Sequence, residues 1–446
     1  MKRAYLLFVV LLSIFCLSTK AQEGFHFLNQ SKRHLCVDFE LINNLIVIPL
    51  VVNGKELSFI LDSGVSKTIL FNISKNDSIG LKNVKKVQLQ GLGKGESVAA
   101  LLSYKNNVSI KSIVHSNETI YVILKDYFDL SGKMGKTIHG IIGYNILRNF
   151  IIKLNYKTKK ITFYNPEKYT YKKCRKCEVF PIQMHRRKPY IDVQVQLDTI
   201  GSKLTDVKLL IDSGGSDAIW LFENTREEIR TPKRFFNDIL GEGLSGTIYG
   251  NRGRVPKIIL GSFELQNPTV SFLDSVSSKN ARNFKERNGS IGAEILRRFI
   301  VWFDYPNKRI MLKKNSYFSK EFNYNMTGLD VVYNGKKLVK EEVMKSVSDA
   351  YNKTSESKSS IDFITSFSYK FKASYKIKSV LKNSPGEKAG LLKNDVILKI
   401  NDTPAHEFTL NQLIIKFQER DKKKIRIIVD RNGKKIKFEF RLKKKV

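Results

Sequence analysis

The rhythm of apolar and polar positions changes several times along the chain, and most of the rhythms are those of strands. Between Leu45 and Leu61 apolar residues gather into two strand-length runs around Asn53-Gly54, a dipeptide that favours a tight hairpin turn. Pro189 to Leu197 alternates with period two, and after a loop Val207 to Ile211 supplies a further strand. Long helical patterns are scarce. Gly143 to Phe150 and Gly292 to Phe299 each read as one short helix followed by a strand, and Leu410 to Phe417 has helical spacing. Ile425 to Phe440 reads as a hairpin about Asn432-Gly433. A lysine- and serine-rich stretch, roughly Asn334 to Ser374, is read as a flexible loop or, from Leu338 to Tyr351, an amphipathic helix. Residues 22–43 carry no pattern that predicts an element. The pattern as a whole predicts a mainly β protein.

One unit is written twice. Asp62-Ser63-Gly64 follows the apolar run Phe59-Ile60-Leu61, and Asp212-Ser213-Gly214 follows Leu209-Leu210-Ile211. Downstream, Gly140-Ile141-Ile142-Gly143 through Phe150-Ile151 is echoed by Gly289-Ser290-Ile291-Gly292 through Phe299-Ile300. An apolar strand ending in Asp-Ser-Gly delivers a carboxylate into a tight turn whose glycine permits close backbone approach. Two such turns meeting across a pseudo-twofold axis cannot both keep ionised carboxylates, so one proton is shared. Between each aspartate and its downstream glycine lies a Gly-rich patch, with Gly91 and Gly93 in the first copy and Gly241 and Gly243 in the second. The second patch spells GxGxxG, but a strand-and-turn pattern follows it rather than the helix a dinucleotide site needs. Paired glycine-hinged flaps closing over a substrate are expected instead, with Tyr249 as an aromatic near it.

The doubled apolar-apolar-Asp-Ser-Gly and apolar-apolar-Gly pattern resembles the retropepsin-like branch of the aspartic proteases with both halves fused, over roughly Asn44 to Lys314. The resemblance implies a two-lobed β-barrel fold with pseudo-twofold symmetry. It makes Asp62 and Asp212 the catalytic pair, supported by Ser63, Gly64, Ser213 and Gly214, with water as nucleophile, polypeptides as substrates and no cofactor. One chain supplies both aspartates, which predicts an active monomer. The residues after the triplets, Val65 and Gly215, lack a hydroxyl to favour the ionised carboxylates, so activity is expected to centre at about pH 4–6.

Past Tyr317 the pattern is different. Val380 to Asn401 contains Ser384-Pro385-Gly386, Ala389-Gly390-Leu391 and Asp395-Val396, and resembles the core signature of a bacterial PDZ domain. The resemblance implies a groove for a C-terminal peptide, with Thr327, Gly328 and Leu329 as the carboxylate-binding loop. The expected division is a signal peptide at 1–21, a lead-in at 22–43, lobe 1 at 44–170, lobe 2 at 171–316, and a PDZ domain at 317–446 with an insertion at about 334–374. An inactive peptide-binding scaffold is the alternative reading.

Composition adds the setting. Lys2-Arg3, an apolar run from Ala4 to Leu17, and Thr19-Lys20-Ala21 read as a secretory signal cleaved before Gln22, which predicts export to the periplasm or beyond. Phe15 before Cys16 is too bulky for lipoprotein processing, so no lipid anchor is expected. No other stretch is apolar enough to span a membrane. Cys174 and Cys177 are read as a local disulfide or two free thiols, since a zinc site needs four ligands and no second pair accompanies them. The formal charge of +36 is lysine spread along the chain rather than arginine–aromatic clusters, so no specific nucleic-acid partner is expected.

Overall fold

Three strands from each half of the chain form one six-stranded sheet, and this sheet is what joins the lobes. Its order is Cys177–Pro181, Arg309–Lys314, Phe299–Asp304, Ile151–Asn155, Lys160–Tyr164, His34–Asp38. The join itself is the antiparallel pairing of Ile151–Asn155 with Phe299–Asp304, where Lys153 faces Trp302. Those two residues hold the same position in the two copies of the repeat, so the pseudo-twofold axis passes between them. The structure is a computed structural model and describes residues 23–73, 79–89, 97–124, 129–198, 201–243, 246–348 and 361–446.

Above this sheet each copy builds its own larger one. Lobe 1 carries a nine-stranded sheet and lobe 2 a ten-stranded sheet, and one continuous apolar core runs from Phe25 through both lobes to Phe322. The short helices appear where the pattern placed them, at Tyr144–Leu147 and Ala293–Leu296. The lead-in corrects the expected division: its described residues, 23–43, are built into lobe 1 and the shared sheet. His34–Asp38 is the edge strand of the shared sheet, with Leu35 and Val37 buried beneath it and Phe25, Phe27 and Phe39 buried on either side. Alternation over five residues was too short to be read as a strand by pattern alone.

The C-terminal unit is a six-stranded sheet with its own core, including Leu329, Ile377, Ile397, Leu413, Phe417 and Ile427. The helix Leu410–Lys416 opens with a capping box between Thr409 and Gln412, and the helix Pro385–Lys388 opens on Ser384. The presumed insertion is the second correction. Leu329–Ser348 pairs antiparallel with Ile361–Val380 along its length, making a projecting two-stranded ribbon rather than a loop or helix. Its register places Leu338, Phe367, Tyr369 and Phe371 on one exposed face. Arg298, fully buried, ties lobe 2 to this unit: its guanidinium donates to the carbonyls of Tyr317, Phe318, Lys320 and Glu321 and to Glu294.

Candidate active site

The strands that end at Leu61 and Ile211 are buried along their last three residues, which fixes where each following turn emerges. Each strand pairs in parallel with the glycine segment of its own copy, Leu61 opposite Ile142 and Ile211 opposite Ile291. The Asp62 and Asp212 amides then donate to the carbonyls of Ile142 at 2.8 Å and Ile291 at 2.9 Å. Sequence echo and structural role thus coincide. A Cβ on Gly143 would lie 2.0 Å from the Asp62 carbonyl oxygen, so only glycine lets this segment pass behind the turn.

The two turns grip each other through their serines, both of them buried. The Ser63 amide donates to Ser213 Oγ at 2.9 Å, and the Ser213 amide donates to Ser63 Oγ at 2.9 Å. Each hydroxyl in turn donates across the axis, Ser63 to the Ile211 carbonyl at 2.7 Å and Ser213 to the Leu61 carbonyl at 2.9 Å. Four hydrogen bonds therefore lock the loops face to face, which a sequence pattern of two supporting serines does not reveal.

Within that grip the carboxylates converge. Gly64 donates its amide to Asp62 Oδ1 at 2.7 Å and Gly214 donates to Asp212 Oδ1 at 3.1 Å. Each glycine also lies under the opposite aspartate: a Cβ on Gly214 would be 2.2 Å from Asp62 Cγ, and one on Gly64 would be 3.1 Å from Asp212 Cγ. Burial pushes the Asp62 carboxyl well above its ordinary value, and the Asp212 carboxylate, also hydrogen-bonded to it, pushes further in the same direction. The Gly64 amide and the Lys188 ammonium oppose that shift. The pair therefore holds a proton at pH values where lone carboxyls have lost theirs.

Several groups around the dyad carry no signal in the repeat. Lys188 begins the strand Lys188–Gln196 and interacts with both aspartates, while burial and the nearby Arg287 hold its ammonium below the usual lysine range. Arg287 is buried and donates to the Gly289 carbonyl at 3.0 Å and Ser290 Oγ at 2.7 Å. Asp217 accepts from Trp220 Nε1 at 2.8 Å, Ser271 Oγ at 2.8 Å and Arg252 Nη1 at 3.2 Å. Arg252 also donates to Asp238 at 2.7 Å. Because Asp238 and Arg252 lie on facing strands of a hairpin, this network fastens that hairpin to the loop leaving Asp212. None of these residues has a matching partner in the first copy, so the doubled pattern had no means of marking them.

The glycines expected to form the second flap lie on this hairpin. Gly241 and Gly243 lie in Phe236–Gly243, which pairs with Gly246–Arg254, and Tyr249 there is exposed. Gly91 and Gly93 lie outside the described residues. In the C-terminal unit, the Thr327 amide donates to Asn325 Oδ1 at 3.0 Å and the Leu329 amide donates to Thr327 Oγ1 at 3.1 Å, so both are engaged within their own loop. Gly328 has φ 75° and a Cβ there would meet Ser384 Cβ at 2.2 Å. Its missing side chain makes room for the cap of the helix Pro385–Lys388. Cys174 and Cys177 form a disulfide in the segment between the lobes.

Two carboxylates presented on interlocked turns across a pseudo-twofold axis define a paired-aspartate site. One family model agrees with that class. Residues 48–146 match the family model for aspartyl protease, and residues 376–431 match that for the PDZ domain. Among solved structures, the aspartic proteinase from Irpex lacteus is similar at 14% identity, covering 64% of this chain and 99% of that one, with a TM-score of 0.41. No curated protein sequence matches. The chain joins an aspartyl-protease-like region to a PDZ domain.

Proposed function

We propose that this protein is an exported aspartic endopeptidase that acts as a monomer and uses its PDZ module to hold polypeptides. The observation that carries the reading is the serine grip, which brings the two carboxyl groups together, and the upward push of burial and Asp212 on the Asp62 carboxyl supports one proton shared between them. In such a pair the ionised carboxylate takes a proton from a water lying between the two, and that water attacks the scissile carbonyl carbon. The protonated partner donates to the carbonyl oxygen, giving a tetrahedral intermediate. Its collapse breaks the C–N bond once the amine has been protonated, and the pair returns to its starting state. In this reading the lobe 2 hairpin, fastened through Arg252 and Asp217 to the loop leaving Asp212, acts as the flap that closes over substrate and excludes water.

The Cys174–Cys177 disulfide supports the export reading, because such bonds persist in oxidising compartments. The test is incubation of the purified mature protein with an unfolded protein substrate across pH 3 to 9, beside Asp62→Asn. Cleavage by the wild type alone is expected. Equal cleavage by both proteins, or none by either, overturns the reading.

A further inference from the structure

The strand Leu329–Ser348 is the open edge of the PDZ sheet: it pairs with Ile361–Val380 on one side, and the helix Leu410–Lys416 lies beside it. A peptide added as a further strand would run along that edge with side chains against the helix. Lobe 1 reaches the same place. Its short helix Leu130–Met134 packs against both the edge strand and the helix Leu410–Lys416.

Specific contacts flank this packing. Lys378 Nζ donates to Asp129 Oδ2 at 2.8 Å in a half-exposed ion pair. Gly135, at φ 66°, comes so near that a Cβ there would lie 3.1 Å from Leu410 Cβ. The Asn43 amide donates to Asn411 Oδ1 at 3.3 Å, while Asn43 Nδ2 donates to the Lys133 carbonyl at 2.9 Å. Met134 meanwhile stays in the lobe 1 core beside Ile60 and Ile138. The helix is thus rooted in one domain and seated on the other.

We propose that the segment Asp129–Gly135 is the resident occupant of the PDZ groove, and that a polypeptide enters the groove only by parting it from lobe 1. This rests on the peptide-binding reading of the PDZ domain given above. Since Met134 anchors the segment in lobe 1, the parting moves one domain away from the other rather than unwinding the helix. Contacts of the PDZ domain with lobe 2 persist through it, among them Arg254 Nε donating to the Val446 carbonyl at 3.1 Å and the packing of Phe236 on Tyr324.

The experiment uses the full chain and a fluorescent pool of decapeptides with random free C-terminal sequences, with an amidated pool as control. Asp129→Ala and Asp129→Lys alter lobe 1 and leave every groove residue of the PDZ domain unchanged. Losing one exposed ion pair should tighten peptide binding by about two- to fivefold, and the like-charge contact in Asp129→Lys by more. Hydrogen exchange in Asp129–Gly135 of the wild type should rise when the pool is added. Equal affinity in all three proteins, with exchange unchanged, overturns the proposal while leaving peptide binding intact. Absence of binding in all three overturns the proposal together with the reading it rests on.

Discussion

Removing one serine of the grip is expected to cost more stability than removing an ordinary hydroxyl. Ser213→Ala deletes the hydrogen bond its hydroxyl gives to the Leu61 carbonyl and strips the Ser63 amide of its acceptor. The lost hydroxyl bond is worth about 1 kcal/mol and the stranded buried amide about 1–3 kcal/mol, which together make about 2–4 kcal/mol. Ser63→Ala removes the other two bonds and should cost about the same by the same bookkeeping. Both tryptophans, Trp220 and Trp302, lie in lobe 2, so urea unfolding followed by tryptophan fluorescence reports on the lobes and not on the PDZ domain. The midpoint should fall with an unchanged slope. Because an ångström of misplacement at the reacting atoms costs about 100-fold, the rate on an unfolded protein substrate should fall by about 10- to 100-fold in either variant. Two single variants that each lose under about 0.5 kcal/mol and keep full activity would show that the four bonds do not hold the dyad.

Asp62→Asn and Asp212→Asn should each lower the rate by about 10⁴-fold or more, since the pair acts as a unit; this is measured on the same substrate, with circular dichroism to confirm the fold. Asp62 has a folded value raised from 3.8 to about 8, so its contribution to stability is fully present below about pH 4 and is lost as pH rises through about 8. Asp62→Asn should therefore gain melting temperature relative to wild type as pH rises over that window, and a gap that stays constant refutes the assignment. The same proton is expected to set the alkaline limb of a bell-shaped pH–rate profile. Lys188→Met removes a charge that lowers the Asp62 value, so the limb should move further up in a pH–rate profile. Arg298→Met should cost about 1–3 kcal/mol in urea unfolding, because the carbonyls of the interdomain segment lose their donor while the Glu294 carboxylate keeps Arg297 and Asn44.

The sequence displayed what repetition could display. Asp62 and Asp212, the strands beneath them and the glycine segments behind them were all legible because each was written twice. The serines were marked as support, yet their cross-bonding is a contact over 150 residues of chain that no local pattern contains. Lys188, Arg287 and Asp217 were missed for the opposite reason, being single charged residues on one lobe with no echo in the other. The ribbon was misread because Leu338, Val339, Val343 and Met344 fit helical spacing, and so short a run of apolar residues does not distinguish a helix from a strand whose partner lies far along the chain. The Ser384-Pro385 signature of the PDZ domain was readable because its turn, cap and strand follow one another directly.

The six-stranded sheet has a topological consequence. Its lobe 1 strands and its lobe 2 strands form two contiguous blocks, and the blocks meet at a single pairing, Ile151–Asn155 against Phe299–Asp304. The covalent link between Tyr169 and Cys177 crosses none of those hydrogen bonds. A chain cut there keeps every strand in its own fragment, and each fragment carries one aspartate, one serine of the grip and half of the shared sheet. The two pieces are complementary halves, each with half of the paired-aspartate site, and the central pair of strands is the seam along which they would zip together.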